Sequence, residues 1–358
     1  MAVMNSTAYC ELIKLQLART ELAQSYEIGL IQQTPIPICL AQAQRELAGL
    51  ANQAYELARQ PAFNDETTHV FCFPALVSAT GATLHARLDA IQQGETQRQA
   101  QLAALQAQID RRVAELYGVP ELLAAESAAP MAAGELLPED EQAAADDDAD
   151  DEAASLAPLP LSPASLVSDL LMWCVGVAFG RWDVRYALHP ETLPALPGPF
   201  DPLPVCSPGM LQGEDGLPLP ESPPGYPLPI AWDGFLVDDP GHPRDILLTV
   251  RRVLRLLWAE RADDIEAEVC QMLGVTDLRT WLRDSKGFFA YHTKRYSKSR
   301  RKAPIYWLLQ SSKKNYALWL YYHRLDKDLL FKALVNTVEP KLRLEENRLA
   351  SLRAQRAG

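Results

Sequence analysis

From residue 8 to 33 and again from 38 to 59, apolar side chains return every three or four positions among glutamine, glutamate and alanine: Leu12, Leu15 and Leu22, then Leu40, Leu47, Leu50, Ala54 and Leu57. That period predicts two amphipathic helices. They part at Pro35 and Pro37, since a proline inside a helix removes a backbone donor and clashes with the preceding turn. Residues 64–74 break the pattern. A longer helix is predicted from Leu84 to Tyr117, where Leu102, Leu105, Ile109, Val113 and Leu116 make one stripe and Gly118 and Pro120 stop it. Helices of this length with polar outer faces bury their stripes by packing side by side as antiparallel hairpins.

The pattern then changes twice. Residues 122–157 are rich in alanine and carry the run Asp146, Asp147, Asp148, Asp150, Asp151 and Glu152 with no aromatic residue. Too little apolar surface is available there to offset the ordering entropy, so a disordered linker is expected; a solvated helix is the alternative. Between residues 158 and 243 lie 18 of the 27 prolines. They exclude long regular elements except one short apolar helix, Ser165 to Phe179, and the rest is expected to be irregular chain laid over another surface. Trp173, Trp182, Tyr186, Phe200 and Trp232 are its candidate anchors. Helical spacing resumes over 244–272 (Ile246, Val250, Val253, Leu254, Leu257, Ile265, Val269), and a last helix is predicted over 340–355. No internal repeat is present. The expected architecture is mainly α, in four parts: helical hairpins over 1–121, the acidic linker over 122–157, the Pro-rich segment over 158–243, and a basic helical module over 244–358.

With 358 residues and 48% hydrophobic content the chain can bury a substantial core. Its net charge of −12 conceals an asymmetry: residues 281–358 hold 18 Lys/Arg against 6 Asp/Glu, so the remainder carries −24. A basic part on an acidic chain points to contact with nucleic acid, whose phosphates supply affinity independent of sequence. The six cysteines are scattered without a CxxC pair and read as reduced thiols. The best apolar run, Leu170 to Phe179, is about half the roughly 20 residues a spanning helix needs, and without a targeting segment a cytoplasmic location with no membrane contact is expected.

Transfer chemistry is not evident. Gly176-Val177-Ala178-Phe179-Gly180 lies in a helical run and lacks the spacing of a cofactor loop, and Asp201-Pro202-Leu203-Pro204 and Ser222-Pro223-Pro224-Gly225-Tyr226 only echo the Asn/Asp-Pro-Pro-aromatic turn that accepts a target amine while stacking a flipped base. Asp277, Asp284 and Lys286 are loosely spaced like a metal-dependent nuclease site but read better as charges flanking helices. The six histidines show no metal-ligand spacing. No catalytic, metal or cofactor residue is therefore assigned.

The densest signal runs from Tyr291 to Trp307, followed by Lys313-Lys314 and Tyr321-Tyr322-His323-Arg324. Six of the nine residues from Lys294 to Lys302 are cationic. Basic side chains hold a protein on the duplex backbone, hydroxyls such as Ser297 and Ser299 donate to phosphate, and interleaved rings stack on bases. The candidate DNA-binding residues are Lys294, Arg295, Tyr296, Lys298, Arg300, Arg301, Lys302, Lys313, Lys314 and Arg324. Taken singly, Tyr306, Trp307, Trp319 and Tyr322 read as core residues.

The string from Tyr296 to Asp328, YSKSRRKAPIYWLLQSSKKNYALWLYYHRLDKD, resembles the C-terminal region of the large adenine-specific DNA methyltransferases of BREX (phage growth limitation) systems and of related type IIG restriction-modification enzymes. Three upstream strings resemble segments of the same proteins, in order: Glu66 to Phe71, Ile109 to Gly118, and Trp173 to Asp183. The resemblance implies a DNA-engaging, non-catalytic part of an N6-adenine methyltransferase in anti-phage defence, with S-adenosylmethionine bound on a separate catalytic polypeptide. The expected partners are double-stranded DNA, that polypeptide and other defence-system subunits; a split gene and a truncated remnant are both open. From another class, the chain reads as a helical scaffold whose basic segment docks on an acidic protein surface, including its own residues 139–152. An independent nuclease is the weakest alternative.

Overall fold

The computed structural model describes residues 1–17, 28–37, 40–119, 162–298 and 301–357, so the acidic run, Ser299 and Arg300 lie outside the described residues. The chain is mostly helical and divides into two compact units: residues 1–61 with 92–146, and residues 62–91 with 147–358. The boundaries differ from the four expected parts. The Pro-rich stretch and the basic segment share one unit, and residues 62–91 join them.

The smaller unit holds α1 (Thr7–Leu17), α2 (Ile28–Gln33), α3 (Leu40–Ala58) and the Gln92–Tyr117 part of α5 (Leu84–Tyr117). Its core is Val3, Ala8, Tyr9, Ile13, Ala43, Leu47, Ile109 and Val113. The α5 stripe is buried at Leu105, Ile109 and Val113 as its spacing predicts, whereas α1 buries Ala8, Tyr9 and Ile13 and leaves Leu15 exposed. One cause is the Asp110 carboxylate, which accepts from the Thr7 backbone N–H at 2.8 Å and so satisfies the open start of α1.

The larger unit is built around α6 (Pro163–Ala178). Ser162 and Ser165 form a reciprocal cap at its start, and every residue from Leu166 to Ala178 except Asp169 is buried. A helix apolar all round must be enclosed. Around it lie α4 (Ala75–Ser78), α7 (Val184–Leu188), α8 (Ile246–Trp258), α9 (Ala262–Leu273), α10 (Leu278–Arg283) and α11 (Phe288–Arg295). Between Pro190 and Gly234 the chain is irregular apart from one short turn of 3₁₀ helix at Pro190–Thr192.

Three strands form a small antiparallel sheet in the order β1, β5, β4, with β1 at Phe235–Asp238, β4 at Tyr306–Gln310 and β5 at Ala317–Tyr321; an antiparallel pair of two-residue strands, β2 (Ser297–Lys298) and β3 (Arg301–Lys302), lies before β4 in the chain. The basic run thus begins on α11 with Lys294 and Arg295 and continues into the short strands β2 and β3, inside a part expected to be helical. Leu236, Tyr306, Trp319 and Tyr321 face the central core, while Phe235, Val237, Leu318 and Leu320 face Leu329 and Ala333 of α12 (Leu329–Ala333). A π turn, Leu334–Val338, continues α12 into α13 (Glu339–Ala357), whose leucines are exposed. No helix among the described residues is long and apolar enough to cross a membrane.

Gly176 earns its place by packing. A Cβ there would lie 2.2 Å from Trp182 Cδ1, so the glycine makes room for an indole that is fully buried against Phe71. The Gly-containing string of α6 is helix packing, not a loop. Gly176→Ala is expected to destabilise the larger unit by about 1–3 kcal/mol, measured by urea denaturation, through overpacking.

Candidate nucleic-acid interface

Helix α11 brings the basic segment onto the sheet, and His292 fixes the join. Its Nε2 accepts two backbone N–H groups, Ile305 at 2.9 Å and Tyr306 at 3.2 Å, so the ring must be neutral with its proton on Nδ1. Burial first, and the nearby Arg181 second, push its pKa down to about 3. His292 is therefore a structural pin between α11 and the start of β4.

Three of the residues expected on DNA turn inward instead. Arg181 Nη1 donates to the Tyr296 hydroxyl at 2.6 Å, and that hydroxyl donates to Glu66 Oε1 at 2.6 Å. Arg295 pairs with Asp65 at 2.6 Å and Asp169 at 3.5 Å. Arg324 lays its guanidinium 4.0 Å from the centre of the Trp232 ring and donates to the Phe179 carbonyl at 3.1 Å. The cause is the same each time: a cation or phenol held in the interior must find a partner there. Arg295, Tyr296 and Arg324 are thereby committed to the fold.

Burial pushes the Asp169 carboxyl up to about 7, against the pull of Arg295 and the Tyr291 hydroxyl that donates to it at 2.8 Å. Because the folded pKa lies above the unfolded one, this group contributes stability below about pH 4 that is lost as pH rises to about 7. Unfolding free energy should therefore fall with pH across that window, by at most about 1.4 kcal/mol per unit from this site. Asp169→Asn should remove that part of the slope in urea titrations at several pH values.

Four of the other candidate cations face solvent. Lys294, Lys302, Lys313 and Lys314 are exposed, and none has an ion-pair partner among the described residues. Lys294, Lys302 and Lys314 line a groove made of two adjoining pockets of about 470 and 500 Å³, which share Ser285, Phe289 and Thr293, and Lys313 stands next to Lys314 in the chain. The first runs along β4 past Tyr306, Leu308 and Gln310, and its charged lining is Arg283, Asp284 and Lys314. The second runs along α11 past Ala290, Lys294, Ser297 and Lys302. The backbones of Lys298 and Arg301 belong to the β2–β3 hairpin beside it. No family model and no curated protein matches this chain. Its geometry has to carry the functional reading.

Two features in or beside the groove were not visible as such in the sequence. Trp307 and Tyr322, which read singly as core, are 47% and 53% exposed, with ring centroids 6.3 Å apart in a stacked arrangement. Hydroxyls from Ser285, Thr293 and Ser297 line the floor although they stand 12 residues apart in the chain at most. The carboxylates suspected of holding a metal do local work: Asp277 caps α10 through the Thr280 N–H at 3.0 Å, and Asp284 accepts from the Lys286 N–H at 2.9 Å. Arg283 and Arg279 both pair with the buried Asp238, which ties α10 to β1.

Proposed function

We propose that this chain is the DNA-engaging, non-catalytic part of an adenine-specific DNA methyltransferase of a restriction or anti-phage defence system, binding duplex DNA through the groove between α11 and β4. S-adenosylmethionine and the transfer chemistry belong, in this reading, to a separate catalytic polypeptide. The observation that supports it most is a set of four exposed lysines on an otherwise acidic chain: Lys294, Lys302 and Lys314 line one groove, and Lys313 adjoins Lys314 in the chain. Unpaired ammonium groups bordered by hydroxyls suit phosphate oxygens, which accept from both. The proposed assignment to methyltransferases rests on the resemblance of the four strings, three of which (at Glu66, Arg181 and Tyr296) meet in the buried network.

Four phosphate contacts release counterions with a slope of about −3.6 in log affinity against log salt, so binding of a labelled duplex should weaken by about two orders of magnitude between 50 and 200 mM salt. Affinity that does not change over that range contradicts the reading. Methyl transfer by the purified chain, given S-adenosylmethionine and duplex alone, contradicts the placement of catalysis elsewhere.

A second reading, a scaffold subunit that binds protein partners, is favoured by one feature. Leu342, Leu344, Leu349 and Leu352 of α13 are about half exposed or more, an open apolar surface of the kind that marks a protein contact. Truncation after residue 338 would abolish partner capture and spare DNA binding if both activities coexist.

A further inference from the structure

We infer that the part of the groove along the outer edge of β4 receives an unstacked nucleobase of the bound nucleic acid, so that the chain prefers DNA with an unpaired nucleotide to fully paired duplex. This deepens the reading of the basic groove as a DNA contact and rests on it.

The backbone of β4 supplies the first argument. Two hydrogen bonds bracket its pairing with β5: Tyr322 N–H to the Ile305 carbonyl and Ser311 N–H to the Tyr316 carbonyl, each 2.9 Å. In an antiparallel pair the hydrogen-bonded positions alternate. Trp307 and Leu309 therefore turn their backbone groups to β5, and Tyr306, Leu308 and Gln310 turn theirs outward to the groove they line. His292 already takes the Tyr306 N–H. Leu308 and Gln310 are left presenting donor and acceptor side by side, the pattern that the edge of an unpaired base answers.

Rings and charges supply the second. Phe289 and the half-exposed Trp307 border the same pocket, whose charged lining is Lys314, Asp284 and Arg283, the last held by Asp238, so that Lys314 is the cation left for a phosphate. An apolar ring surface with a cation within one nucleotide's reach suits a base and its phosphate together. Its volume of about 470 Å³ is ample for one base. Bases inside a duplex have their edges paired and faces stacked, so only an unpaired one enters without the unstacking cost of a few kcal/mol. An added peptide strand would use the same edge, but natural strands run to about five or six residues. Two free positions, with the next closed by His292, offer too short a ladder.

The test compares three labelled probes of equal length by fluorescence anisotropy at low salt: a fully paired duplex, the same duplex with one bulged 2-aminopurine, and a single strand. Wild type is expected to bind the bulged duplex about tenfold more tightly than the paired one, with quenching of the 2-aminopurine as it stacks. Trp307→Ala should erase that preference, so that bulged and paired duplex bind alike. Gln310→Pro removes an outward N–H that the sheet does not use and should weaken the preference likewise, while thermal melts confirm that both variants fold. Paired duplex bound as tightly as bulged duplex overturns the inference and leaves the DNA reading standing. So does a preference that survives in both variants, or an acidic extended peptide that fills the groove while the bulge adds nothing. Absence of binding to all three probes overturns the DNA reading as well.

Discussion

Replacing Arg181 by methionine is expected to destabilise the larger unit by about 3–5 kcal/mol, because it removes the cation from a buried network and leaves the acid behind. Glu66 is fully enclosed, and burial raises its pKa against the opposing pull of Arg181 and of the Tyr296 hydroxyl. Tyr296 lies between them, accepting from one and donating to the other, each at 2.6 Å. Arg181 also stacks over the Trp182 ring, 4.3 Å from its centre, so its loss opens a contact within the apolar core too. A second substitution, Glu66→Met, should return part of that loss, since an apolar pair of similar size needs no internal partner. The check is a double-mutant cycle from urea titrations, in which the double variant costs less than Arg181→Met alone and much less than the sum of the two single costs. A single-variant cost under about 1 kcal/mol would mean that solvent reaches the network.

The helices were legible because their signals are local. Leu84 to Tyr117 is bounded in the structure where its stripe and Gly118 place it, and the apolar run expected as a helix from Ser165 to Phe179 falls within a residue or two of α6. Residues 190–234 lack long elements, as their prolines require. The sheet was not legible. Phe235–Asp238 reads as four apolar or acidic residues in a Pro-rich setting, and it becomes a strand only because Ala317 to Leu320, some eighty residues later, pairs with it. That pairing is long-range, and period alone cannot supply it.

The candidate site divides in the same way. Cationic density located the surface, but it could not separate Lys294 from Arg295, adjacent residues on α11 that face solvent and Asp65 respectively. Partners 230 positions away decide that difference. Tyr306 and Trp319 are buried as their type suggests, while Trp307, one residue on, alternates to an open face at the sheet edge. Lys298, Arg300 and Arg301 carry part of the expectation outside these described side chains.

The second large effect concerns that surface. Reversing Lys294, Lys302 and Lys314 to glutamate should lower affinity for duplex DNA by at least about 100-fold at 50 mM salt, since three phosphate contacts become repulsions. It should also flatten the salt dependence by about 2.7 units of slope. The fold should survive, because all three side chains are exposed and hold no ion pair among the described residues. Arg295→Gln behaves oppositely: it breaks pairs to Asp65 and Asp169 inside the unit, so it lowers stability.

Anisotropy titration of one labelled duplex against wild type and the Lys294→Glu, Lys302→Glu, Lys314→Glu triple variant, at salt concentrations from 50 to 200 mM, tests the groove as the place where DNA sits. Steep salt-dependent binding by wild type, nearly absent from a triple variant that melts at the same temperature, is the predicted result. Equal affinities and equal slopes for the two proteins would contradict it.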